Sequence, residues 1–118
     1  MDEPLIKLNV RFFRTEAGNE PVREWLTELD RESRRLIGVD IKTVQLGWPI
    51  GMPVVRKMEP GLWEVRTSLV DTIARVLFAV EGQTMVLLHG FIKKSEKTPA
   101  SDLATARKRK ATLKRNKQ

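Results

Sequence analysis

The strongest constraint on this chain is a change of hydrophobic period at the segment WPIGMP, residues 48–53. Two prolines and a glycine there can continue neither a helix nor a strand. Before that segment the apolar residues keep helical spacing. Val22, Trp25, Leu26 and Leu29 fall at i, i+3, i+4 and i+7, and Leu36, Ile37, Ile41 and Val44 form a second apolar face. Asn19 is the expected N-cap of the first helix, with Pro21 in its first turn. Asp30 is the expected cap of the second helix, and Gly47 its C-terminal cap. With only a capping residue between them, the two helices should fold back as a hairpin.

After that segment the period falls to that of strands. VVRKM (54–58), LWEVRTS (62–68), TIARVLFAV (72–80) and MVLLHGFIKK (85–94) are separated by EPG, LVD and EGQ, connections of turn length. Residues 8–14, LNVRFFR, make a further strand ahead of the helices. At the other end Thr98 is placed to cap a last helix, with Pro99 at its first position and Asp102 in its first turn, running to about Leu113. The order βααββββα predicts an α+β fold. An N-terminal strand and helical hairpin would pack on a mainly antiparallel sheet, followed by a basic C-terminal helix. A chain of 118 residues suits one domain over 1–118.

Composition removes several classes of function. There is no cysteine and one histidine, His89, so disulfide frameworks and thiolate metal sites are excluded and a histidine-based metal site is disfavoured. The expectation is a site without metal or cofactor. No apolar run approaches the ~20 residues of a spanning helix, and the opening MDEPLIKL is acidic where a signal peptide is basic. The expected location is the cytoplasm.

The charge is concentrated at one end. Residues 93–118 carry ten Lys/Arg against Glu96 and Asp102, a net of +8, while residues 1–92 carry twelve against thirteen acids, a net of −1. Such a block attracts phosphate backbones or an acidic protein partner. A solvated helix end, favoured by the macrodipole, is the commoner explanation of a lone basic tail, and the block by itself decides little.

Strand parity sorts the remaining polar residues. Trp63 and Val65 are the core pair of their strand, which turns Glu64 and Arg66 the other way. Ala74, Val76, Phe78 and Val80 likewise turn Arg75 outward with Leu77 and Ala79. Taking Val86 and Leu88 as core leaves His89, Phe91 and Lys93 outside, with Leu87. Three adjacent strands would then present Arg66, Arg75, His89 and Lys93 on one open face, with Lys94 at its edge and Phe91 available to stack a base. Taken singly, each residue has a plainer explanation. Arg66 can pair with Glu64 or Asp71 at the surface, His89 can be a structural hydrogen-bonding group, and the lysines can be solvated. Trp25 and Trp63 read as core, and Trp48 as packing of the 48–53 loop.

The strings LWEVR (62–66), ARVLF (74–78) and above all HGFIKKSEKTP (89–99), followed by an alanine- and arginine/lysine-bearing helix, resemble the phage-derived Gp49-like proteins. These include HigB-type toxins of the RelE/ParE toxin superfamily. The resemblance is dense over residues 54–110 and keeps the element order over 8–58. It implies a RelE-like fold and a type II toxin–antitoxin toxin that cuts mRNA at the ribosome, with a helix-turn-helix antitoxin, the ribosome and mRNA as partners. The implied chemistry is metal-free attack of an RNA 2′-OH on the neighbouring phosphate. Arg66 and Arg75 match the family's strand arginines and suit bidentate phosphate stabilisation. Lys93 and Lys94 match its basic pair, and His89 is the acid–base candidate because an unperturbed imidazole titrates near neutrality. Candidate nucleic-acid contacts are Phe91, Lys94, Lys57, Lys97, Arg107 and Lys108. Several superfamily members place a tyrosine in the active site, and this chain has none. Two alternatives stand beside the nuclease: a ParE-like gyrase inhibitor that binds without cutting, and a basic nucleic-acid-binding module.

Overall fold

The computed structural model describes residues 7–116, so most of the acidic opening of the chain and Lys117 lie outside it. The described elements are β1 (Asn9–Phe12), α1 (Pro21–Thr27), α2 (Arg31–Gly47), β2 (Val55–Glu59), β3 (Leu62–Ser68), β4 (Ile73–Glu81), β5 (Thr84–Lys93) and α3 (Ala100–Asn116). The five strands form one sheet in the order β1-β5-β4-β3-β2. The hairpins β2–β3, β3–β4 and β4–β5 are antiparallel, whereas β1 lies parallel to β5, with Asn9 opposite Thr84.

The helical hairpin covers one face. Val22, Ile37, Ile41 and Val44 pack on Val55, Val65, Ala74, Val76, Phe78, Met85 and Leu87, with Trp25 and Trp63 partly buried at the margin. Trp48 meets Trp63 edge-on at 5.0 Å, so the 48–53 loop is anchored by its tryptophan as expected. Asp30 caps α2 by accepting from the Ser33 amide at 3.0 Å. Two other expected caps differ. Glu20 occupies the N-cap of α1, while Asn19 is held in the preceding turn by Thr15. Gly47 is the last helical residue, and Trp48 is the C-cap.

The second face of the sheet is not open. Helix α3 lies across it, and Leu103, Ala106 and Leu113 pack on Leu62, Leu77, Ala79, Val86 and Leu88. Its apolar stripe is thin, so polar bonds to the sheet supplement it. Arg107 is 2.7 Å from Glu59, Lys110 donates to the Pro60 carbonyl at 3.0 Å, and Arg109 donates to the Leu88 carbonyl at 2.7 Å. Arg109 also sits over the Phe13 ring. The basic run is thus partly a set of pins, with charged ends on the Leu88 and Pro60 carbonyls and on the Glu59 carboxylate.

Parity is as expected in β3 and β4 and reversed in part of β5. Val86 and Leu88 face α3, and Leu87 faces the hairpin. A register shift lies where Leu77 opposes His89 while Phe78 opposes Leu87. The extra residue in β5 resets the alternation there. His89 and Phe91 therefore share the α3 side with Leu88, and Gly90 turns toward Trp25.

Candidate active site

Cross-strand pairing places the polar residues of the α3 face in rows. Arg56, Glu64, Leu77 and His89 form one row, and Arg66, Arg75 and Phe91 form the next. Lys93, opposite Ile73, follows at the end of β5. All of this lies near the start of α3, beyond its apolar contacts, where the segment Lys94–Pro99 crosses the sheet end.

The centre of the cluster is buried. Arg75 and Glu64 are both 0% exposed. Thr98 links them: its hydroxyl donates to Glu64 Oε2 at 2.7 Å and accepts from Arg75 Nη1 at 3.5 Å. Thr98 is therefore bound into the sheet and does not cap α3. Arg75 also donates to the Ser95 carbonyl and lies over the Phe91 ring, 5.8 Å from its centroid. Burial pulls the Arg75 guanidinium below its ordinary value, with Glu64 opposing that shift. Bonds donated by Arg75 to Ser95 and Thr98, and by Thr98 to Glu64, fasten the 94–99 segment to the sheet.

Around this centre sit groups that solvent reaches. Arg66 pairs with Glu96 at 2.8 Å and lies 4.0 Å from Glu64; its side chain is 8% exposed, against 82% for Glu96. Arg56 reaches the carbonyl of the same Glu96 at 3.4 Å. The two arginines hold a residue whose own carboxylate occupies an anion position. His89 Nε2 is 2.6 Å from Asp102 Oδ1, and its ring stacks on Phe91 at 5.8 Å. The other imidazole nitrogen, Nδ1, has no hydrogen-bond partner among the described residues. A carboxylate that fixes one nitrogen orients the ring and leaves the second for proton transfer.

The expected residues are thus distributed unevenly. Arg66, His89, Phe91 and Lys93 share the α3 side of the sheet end, with exposed Lys94 and Lys97 in the adjoining segment. Arg75 is in the cluster, but buried beneath it, with Nη1 and Nη2 bonded to Thr98 and Ser95 and its buried Nε without a hydrogen-bond partner among the described residues. Lys57 pairs with Trp63, on the opposite side of the sheet. Arg107 is bound to Glu59, and Lys108 is exposed on α3. Arg56, Glu64, Glu96, Thr98 and Asp102 complete the cluster without having been singled out as site residues. The parity of β2 relative to β3 marks Arg56, but nothing local marks Thr98 as a buried link. No group of three or more His, Cys, Asp or Glu able to hold a metal ion occurs among the described residues. No helix there is long and apolar enough to cross a membrane.

A mostly antiparallel five-stranded sheet, with a helical hairpin on one face and a basic helix on the other, is consistent with the RelE-like fold. The chain matches the family described as phage derived protein Gp49-like (DUF891) over residues 24–111, and it belongs to that family, which is of the RelE/HigB-like toxin kind. Membership implies an antitoxin partner. No curated protein matches the chain.

Proposed function

We propose that the protein is the toxin of a type II toxin–antitoxin system and acts as a ribosome-dependent mRNA endoribonuclease. The observation that carries this reading is the His89–Asp102 pair on the same sheet end as Arg66 and Lys93. Cleavage by 2′-OH attack needs a base for the hydroxyl proton, cations on the pentacoordinate phosphorane and a proton for the departing 5′ oxygen. Asp102 holds His89, whose Nδ1 takes the 2′-OH proton. Arg66 meets the phosphate in the place that the Glu96 carboxylate holds, and Lys93 supplies the proton to the 5′ oxygen. The products are a 2′,3′-cyclic phosphate and a 5′-OH. Phe91, expected to stack a base, is instead buried between Arg75 and His89 and serves to hold the imidazole; Lys94 and Lys97 attract the strand. Arg75 acts as a positioning residue, since it holds Phe91 and the 94–99 segment and is completely buried. The whole of 1–118 works as one toxin domain in the cytoplasm.

The test is expression without antitoxin, with 5′ ends mapped on a translated message and on the same message lacking its start codon. Cuts confined to the translated message, and lost in folded Arg66→Ala and His89→Ala variants, are expected. Growth arrest without cuts would instead favour a gyrase-type target. Full cutting by both folded variants would remove Arg66 and His89 from the chemistry.

A further inference from the structure

A cleft of about 400 Å³ runs between α3 and the segment after β1, and it has no part in the chemistry above. Thr105, Lys108, Arg109, Thr112 and Arg115 line its helix side. Their spacing follows one flank of α3, and one turn back the same stripe reaches Asp102, the partner of His89. The stripe of α3 that lines the cleft therefore leads toward the proposed acid–base pair, one helical turn away. It lies on the opposite flank of the helix from the Arg107–Glu59 and Lys110–Pro60 pins.

Its cations are of two kinds. Arg109 is committed to the Leu88 carbonyl and the Phe13 ring, and burial lowers its affinity for protons. Lys108 and Arg115 are exposed and form no ion pair among the described residues. Among the described residues, Glu16 is the one acid on the cleft wall. The hydroxyls add a second pattern. Thr105 and Thr112 donate to the carbonyls of Ser101 and Lys108, at 3.1 and 3.2 Å, so their oxygens are left to accept. Arg115 already reaches Thr112, which leaves Thr105 as the open acceptor. The exposed cations Lys108 and Arg115 complement a phosphate backbone, and RNA adds a ribose 2′-OH able to donate to Thr105, a group that DNA lacks.

We infer that this cleft is the track for the single-stranded RNA flanking the cut, with Lys108 and Arg115 on phosphates and Thr105 accepting from a ribose 2′-OH. The inference rests on the reading of His89 as the place of cleavage. The experiment uses the full chain made by cell-free synthesis and a fluorescent single-stranded RNA 12-mer, with anisotropy measured over a range of salt. Lys108→Glu/Arg115→Glu should weaken binding at least tenfold and reduce the log–log salt slope by about 1.4, at ~0.7 for each phosphate no longer neutralised. Lys42→Glu/Lys114→Glu makes the same change in net charge away from the cleft and should weaken binding less than threefold. Thr105→Val should shrink the preference for RNA over DNA of the same sequence.

Equal losses in the two double variants would overturn the track in favour of a diffuse field. Unchanged RNA binding in Lys108→Glu/Arg115→Glu would also overturn it, as would loss confined to a glutamate-rich peptide, which would make the cleft a protein site. Cleavage is not read in this experiment. Absence of mRNA cuts would therefore sink the nuclease reading alone, and unchanged binding would sink the track alone.

Discussion

Gly90, in the middle of the HGF string, offers a sharp test of how the helical hairpin is seated. Its backbone does not occupy the left-handed region, so conformational freedom is not what calls for glycine. Space is. A Cβ built at Gly90 would stand under 3.0 Å from three ring atoms of Trp25, on α1. Carbon atoms rest at ~3.5–4.0 Å, so the indole or the helix that carries it must retreat by roughly 1 Å. Overpacking of this kind costs about 1–3 kcal/mol. Restricting the unfolded chain returns about 0.4–1 kcal/mol. Gly90→Ala should therefore destabilise by about 1–2 kcal/mol, lowering Tm by roughly 3–10 °C at this chain length. Urea titration followed by circular dichroism measures it. In a Trp25→Leu background the same substitution should cost less than about 0.5 kcal/mol, because the obstructing ring is gone. Equal costs in both backgrounds, or a neutral Gly90→Ala, would refute the steric explanation.

Thr98→Val removes the hydroxyl between Glu64 and Arg75, leaves buried polar groups unpaired, and should cost about 1–3 kcal/mol. Thr98→Ser should retain most of that stability, and thermal unfolding of the two variants separates them. Glu96→Gln frees Arg66 from a carboxylate held in an exposed and easily broken pair. It should tighten single-stranded RNA binding a few-fold by anisotropy, and an equal gain in an Arg66→Ala background would contradict the assignment. Arg107 holds the Glu59 carboxyl below its ordinary value, chiefly through their hydrogen bond. A depressed folded pKa adds stability above the unfolded value of about 4.3 that disappears as pH falls through the folded one. Wild type should therefore lose more of its urea midpoint between pH 5 and pH 3 than Arg107→Gln, and parallel curves would argue against the pair.

Much of this architecture could be read in residue spacing, and the failures have physical causes. The apolar faces of α1 and α2, the Asp30 cap and the alternation in β3 and β4 are local patterns, and local patterns survive folding. The reversal at Val86, Leu87 and Leu88 comes from one extra residue in β5, which no alternation rule anticipates. Helix α3 misled for a different reason. Its basic run read as a solvated helix end, yet Arg107, Arg109 and Lys110 bond to Glu59, Leu88 and Pro60 and so help to attach it. The side of the sheet that carries Arg75 was legible. Its burial was not, because the groups that cover it come from a segment 20 and 23 residues away. Asp102 looked like a helix-dipole residue until the fold brought it to His89.

The parallel pairing of β1 with β5 bears on how the protein is made. Asn9 finds its partner at Thr84, and Phe12 at Leu87, so the first strand waits for nearly the whole sheet to be synthesised. Pairings this distant in sequence form late. The face carrying Leu62, Leu77, Val86 and Leu88 waits longer still, because its cover is the last element described. A ribosome that stops early on this message releases an uncovered sheet with Arg75 and Glu64 lacking their link to Thr98. Truncated products should go to aggregation or proteolysis, so toxicity should track completed chains.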